Sequence, residues 1–288
     1  MAYKTLLTVL TVPSTPAGDS GALPPLGALD AAIALARRED AHLDVLAIGV
    51  DRTQIGYYYP GASPMIYQQT MELAQSEAAS LEEAARKRLG KEDIRWGIEG
   101  AVAQIGGLGQ IVAKVARFAD LVVMPKPYGE GHGTEEEATV EAALFDGQAP
   151  VLVIPPGVMD MPSADRIVVA WNQSSEAMVA IRRALPLLKR AAMVNITVID
   201  PPSHGPERSD PGGMLSQWLS RHGVRTEVSV LARTMPRISD VLVRHARDQN
   251  AQMIVMGAYG HSRFRQAILG GATRNMLESA DIPVFLAH

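Results

Sequence analysis

Short runs of β-branched and apolar residues alternate with longer stretches of helical periodicity along this chain, and the alternation happens twice. Thr5 to Val12 is a near-continuous apolar run, the pattern of a strand buried on both faces, and Leu26 to Arg38 then repeats Ala, Ile and Leu at helical spacing. His42 to Val50 is the next strand. A loop holding Tyr57, Tyr58 and Tyr59 leads into a long helix over Met65 to Leu89, which Gly90 stops. A strand at Ile94 to Val102, a helix at Gln110 to Phe118, a strand at Leu121 to Met124, a helix at Thr134 to Phe145 and a strand at Pro150 to Ile154 follow. Thr134 and Glu137 read as a capping box at the start of that last helix.

The second half runs in the same order, with strands at Ile167 to Trp171, Val194 to Ile199, Arg225 to Leu231, Gln252 to Met256 and Val284 to Leu286. The halves share a register. Met124 to Pro150 is a step of 26 residues and Met256 to Pro283 a step of 27, each ending in a Pro-Val that opens the last strand. Alternating strands and helices imply right-handed βαβ crossovers and parallel sheets covered on both faces. The expected fold class is therefore α/β, two tandem doubly wound parallel five-stranded sheets. Pro155 to Ser163 reads as a linker, which gives domains at 1–156 and 165–288.

Composition narrows the chemistry. The 288 residues are 47% hydrophobic and 20% charged with a net charge of −4, an ordinary globular balance that leaves no basic footprint for nucleic acid. No cysteine is present, so thiolate nucleophiles, disulfides and cysteine-ligated metals are excluded. The seven histidines lack a His-Glu-x-x-His arrangement, and no metal site is expected. His132 beside Glu135 to Glu137 reads as an acidic helix cap before it reads as a metal ligand. No apolar run reaches the roughly 18 to 20 residues that span a bilayer, and Met1-Ala2-Tyr3-Lys4 leads directly into a strand, so no membrane contact and a cytoplasmic location are expected.

In an open parallel sheet, ligands bind beyond the carboxyl ends of the strands where strand order reverses, so the loops after strands one and four matter most. In the second half the latter reads Met256-Gly257-Ala258-Tyr259-Gly260-His261-Ser262-Arg263 and continues to Ile268-Leu269-Gly270-Gly271-Ala272-Thr273. From Gly257 to Arg274 there are three arginines and no acid. Glycines that admit a close ligand, followed by a helix N-terminus, make a phosphate cradle; the alternative is a plain flexible loop.

Gly257, two residues, Gly260, nine residues, Gly270 is the spacing by which this half resembles the universal stress protein family. The order of elements resembles that family twice over, while the glycine motif occurs once. The resemblance implies an adenine nucleotide alpha-hydrolase-like, Rossmann-like fold and ATP, with magnesium as its companion, in the C-terminal domain only. Ala170, Trp171 and Asn172 fall where the family holds adenosine, with Val198 beside the base. Met256, Gly257, Gly260, His261, Arg263, Gly270, Gly271, Ala272 and Thr273 fall at ribose and phosphates. The chain departs from the family in having Asn172 for the usual Asp and Gly271 for the usual Ser or Thr, each change costing about 0.5 to 3 kcal/mol of binding. Trp171 either stacks on the base or fills the core.

The first half keeps glycines between Pro125 and Gly133 without that spacing, and ends its first strand with Thr11 where the family has Asp. It reads as a degenerate copy. The expected function is a cytoplasmic stress-response regulatory protein with no catalytic residue, binding an adenine nucleotide in its second half, its halves docked on each other and a homodimer in prospect. The alternatives are a nucleotide-free protein-interaction module and a weak ATP hydrolase assisted by His261. A pyrophosphatase loop is not there: Asn172-Gln173-Ser174-Ser175-Glu176 stands in its place, and no P-loop Lys occurs.

Overall fold

A computed structural model describes residues 2–12, 26–52, 64–128, 133–158, 164–201, 209–258 and 271–288, with side chains of 64–67 excepted. Tyr57 to Tyr59, His132, Gly260, His261, Arg263 and Gly270 lie outside the described residues. The chain divides into two compact units, Tyr3–Ala149 and Pro150–His288.

In the first unit the strands are β1 (Thr5–Thr11), β2 (His42–Asp51), β3 (Arg95–Gln104) and β4 (Leu121–Pro125). They are parallel, in the order β3-β2-β1-β4. Between them run α1 (Gly27–Glu39), α2 (Pro64–Leu89) and α3 (Leu108–Ala116), and α4 (Thr134–Glu141) follows β4. The apolar run of β1 is buried along its middle five residues, and its one polar member there, Thr8, donates its hydroxyl to the Val123 carbonyl at 2.8 Å. Helix α1 buries a stripe of alanines and leucines against the sheet and stops at Asp40, whose left-handed backbone turns its N–H onto the Ala36 carbonyl.

The start of α4 corrects the sequence reading. Gly133, not Thr134, is the capping position, and the Glu136 carboxylate, not Glu137, reaches back to its N–H at 2.9 Å. Gly133 is extended and has no side chain to cap with, so only the Glu136 half of a capping box is made. The helix expected through Phe145 is α-helical only to Glu141; Ala142–Asp146 continues it as a π-helical turn.

The second unit holds β5 (Val151–Ile154), β6 (Arg166–Ala170), β7 (Met193–Ile199), β8 (Thr226–Leu231), β9 (Met253–Gly257) and β10 (Val284–Ala287). Their order is β5-β10-β9-β6-β7-β8, all parallel except β5, which pairs antiparallel with β10 through Val284 opposite Val153. The last strand of the first repeat therefore completes the sheet of the second. Helices α5 (Ser175–Leu188), α6 (Gly213–Arg221), α7 (Ile238–Asp248) and α8 (Ala272–Ser279) connect these strands. From β6 the chain moves outward to β7 and β8 and then returns to lay β9 on the other side of β6. The carboxyl ends of β6 and β9 thus flank a topological switch point.

Candidate functional site

At that switch point a cavity of about 570 Å³ opens, within the usual range of small-ligand sites. The ends of three strands form it: Ala170 and Trp171 at β6, Thr197 and Ile199 on β7, Met256 and Gly257 on β9. Three helix N-termini close it, from α5 (Ser174, Glu176), α7 (Ile238, Ser239) and α8 (Gly271 to Thr273). Every crossover helix of a βαβ unit starts at the carboxyl end of its strand, so free amides and the positive ends of helix dipoles gather at this edge.

Most of the expected residues on the described part of the chain meet here: Ala170, Trp171, Asn172, Met256, Gly257, Gly271, Ala272 and Thr273 all line the cavity. Val198 does not. It is buried, and its Cγ2 lies 3.5 Å from where a Cβ on Gly212 would stand, beside Ile196 and Val228. A strand shows alternate residues to opposite faces, so Val198 faces α6 while Thr197 and Ile199 face the cavity. That alternation, applied to β7 in the sequence, is the signal that would have replaced Val198 by its neighbours. Ile238, Ser239 and Leu242 carried no motif; only the placement of α7 after an edge strand brings them in.

The polar groups at the start of α5 each have a local task. Asn172 Oδ1 accepts the Ser174 N–H at 3.2 Å across Gln173, which sits in the left-handed region, and Ser174 Oγ in turn caps α5 by accepting from Ala177 N at 3.1 Å. Glu176 is held below the ordinary carboxylate range, first by its own backbone N–H and then by the hydroxyls of Ser175 and Ser174, against the cost of burial. The Trp171 N–H of the backbone donates to the Thr197 carbonyl at 2.9 Å, whereas its indole Nε1 is buried with no hydrogen-bond partner among the described residues. Gly257 packs on α5: a Cβ there would stand 2.5 Å from Ala177 N and 2.7 Å from the Glu176 carbonyl carbon. The first glycine of the motif is thus required by helix packing whatever else approaches it.

At the matching edge of the first unit, described side chains are joined by an ion-pair cluster. Arg52, just past β2, clasps Glu135 of α4 through Nε at 2.8 Å and Nη2 at 3.0 Å, and holds Glu77 of α2 through Nη1 at 3.0 and 3.1 Å. Its Nη2 also donates to the Val12 carbonyl at the end of β1, at 2.5 Å. Glu135 is the second residue of α4, as Thr273 is the second of α8, so an ion pair stands where the other unit has a cavity wall. Burial pushes the Glu135 carboxyl upward, opposed by its bonds to Arg52.

This arrangement, a doubly wound sheet with a ligand-sized cavity at its switch point and a glycine at the helix entry, is that of a ligand-binding class of α/β domain. Residues 163–288 match the model of the Universal stress protein family. Over 91 residues the chain is 28% identical to Universal stress protein Slr1230 of Synechocystis sp., a stretch that is 32% of this chain and 31% of that relative. The match thus spans about a third of the curated relative's length. Among solved structures, a universal stress protein from Archaeoglobus fulgidus superposes with a TM-score of 0.70 at 16% identity, covering 98% of this chain and 95% of its own. A functionally unknown protein from Pseudomonas aeruginosa PAO1 gives 0.57 at 13% identity over 99% and 92%. The fold is the adenine nucleotide alpha-hydrolase-like, Rossmann-like one. Among the described residues no helix is long and apolar enough to cross a membrane.

Proposed function

We propose that the C-terminal unit binds an adenine nucleotide, ATP included, and that the protein is a cytoplasmic stress-response regulator that works by binding and not by catalysis. The observation that carries this reading is the cavity itself: its wall brings Ala170 to Asn172 together with Met256, Gly257 and Gly271 to Thr273, more than 80 positions further along the chain. Its lining joins apolar surface for a base to helix N-termini suited to an anion. Gly260, His261, Arg263 and Gly270 would complete the phosphate end. Magnesium would enter on the phosphates of ATP.

Mass spectrometry of ligand released from the purified protein, with calorimetric titration of ATP up to millimolar concentration, tests this. Release or saturable binding of an adenine nucleotide is expected; absence of both overturns it. One observation favours the alternative, an interaction module without nucleotide: the charged side chain lining the described cavity, Glu176, is an acid, and the Asn172 oxygen is engaged by Ser174. Under that alternative, Trp171→Ala and Thr273→Asp would leave partner capture unchanged and no nucleotide would bind.

A further inference from the structure

Across the ends of β6 and β7 and the start of α7 the cavity wall carries an apolar patch of Ala170, Ile199, Ile238 and Leu242. A flat heteroaromatic ring belongs against such a wall, and the polar groups of the ring are read by whatever hydrogen-bonding side chains interrupt it. Thr197 is one of these. Its carbonyl is engaged by the Trp171 backbone N–H, so its side chain is what it offers the cavity.

The direction of every hydrogen bond behind Thr197 is fixed. Asn195, two residues earlier on the same face of β7, donates from Nδ2 to Glu227 Oε1 and to Ser229 Oγ, each at 2.9 Å. A carboxylate only accepts, so the amide nitrogen of Asn195 must face β8 and its oxygen must face the other way. That oxygen accepts from Thr197 Oγ1 at 2.7 Å and from His245 Nε2 at 3.1 Å. A threonine hydroxyl has a single proton. With that proton committed to Asn195, the Thr197 oxygen can only accept from a group in the cavity.

We propose that Thr197 is the specificity-determining residue of this cavity: its hydroxyl oxygen accepts from the exocyclic N–H at C6 of a purine, and so selects an amino group there over an oxo group, which would set two acceptors against each other. Asn195, Glu227 and His245 are positioning residues that hold the hydroxyl in this polarity. The inference rests on the nucleotide reading above and adds the residue that chooses between bases.

The test is calorimetric titration of the full chain with ATP and, separately, inosine triphosphate. The wild type is expected to prefer ATP by about tenfold, the discrimination one buried hydrogen bond supplies. Thr197→Val, equal in shape but without the acceptor, brings the ratio toward unity, and Thr197→Ser restores it. Asn195→Ala keeps the hydroxyl but frees its proton, and lowers the ratio as well. A merely structural role for Thr197 would weaken both nucleotides together and leave the ratio alone. Equal affinities in the wild type, or a ratio preserved in Thr197→Val with the circular dichroism of the wild type, overturns the assignment. Failure of the wild type to bind either nucleotide overturns the nucleotide reading itself, whereas ATP binding with an unmoved ratio overturns only the role of Thr197.

Discussion

Arg52 holds both carboxylate oxygens of Glu135, at 2.8 and 3.0 Å, and with this one residue pair ties the end of β2 to the first turn of α4. The Glu135 side chain is 1% exposed and Arg52 30% exposed, so the pair is more protected than a surface ion pair. Glu135→Ala is expected to destabilise the protein by about 2 to 4 kcal/mol, because it leaves Arg52 short of a partner in a half-buried place. Arg52→Met with Glu135→Leu should recover part of that loss. Urea unfolding of the two variants checks both outcomes; a Glu135→Ala protein as stable as the wild type would show that the clasp contributes nothing.

Gly257 approaches α5 so closely that stability, before any ligand is added, depends on it. Gly257→Ala is expected to cost about 1 to 3 kcal/mol by forcing β9 and α5 apart. Gly257→Val should cost more. Thermal melts of the unliganded proteins decide the matter: unchanged melting would mean that the glycine serves only ligand approach.

Burial pushes the His245 imidazole below its ordinary value of 6.5, with Asp248 and Glu227 acting in the opposite sense. The folded protein therefore takes up this proton less readily than the unfolded chain. Its contribution to stability is full above about pH 6.5 and falls as the pH drops below that value, by up to about 1.4 kcal/mol per pH unit until the folded group titrates. His245→Gln keeps an N–H donor for Asn195 and removes the titration. Comparing urea midpoints of the two proteins at pH 7.5 and pH 5 should show a smaller drop in the variant.

Trp171 combines a place on the cavity wall with a buried indole N–H that lacks a partner among the described residues. Trp171→Phe removes that unpaired donor and is expected to leave stability within about 1 kcal/mol of the wild type or raise it. A change of tryptophan emission on titration with ATP is expected in the wild type and should vanish in the variant, although Trp96 and Trp218 remain. Persistence of the signal would place the ligand elsewhere.

Strand and helix identities were open to reading because each strand is a compact apolar run and each helix a longer amphipathic one. The expected β2 at His42 to Val50 ends one residue short of the observed strand, and the expected start of β7 is one residue late. What escaped the reading depended on neighbours that only folding supplies. The face that Val198 presents follows from packing on α6, and the pairing of Glu135 with Arg52 joins residues 83 positions apart. The three glutamates at the start of α4 look alike in sequence. In the fold one is clasped by Arg52, one caps Gly133, and one accepts the Tyr128 hydroxyl at 3.1 Å. The cavity lining was legible at Ala170 to Asn172 and at Gly271 to Thr273, whereas Ser174 and Glu176 were read only as standing where a pyrophosphatase loop would be. It was hidden where α7 supplies a wall.

The antiparallel pairing of Val153 with Val284 means that the seam between repeats and the seam between compact units do not coincide. A fragment cut at residue 165, where the repeat suggests a clean division, would leave behind the strand that covers β10. The bare edge would run Val284-Phe285-Leu286-Ala287, all buried in the intact chain, an invitation to unwanted strand pairing and aggregation. A fragment beginning at Pro150 would carry its own cover. Shuffling, truncating or transplanting the second half thus has to respect a border that lies a strand upstream of the linker.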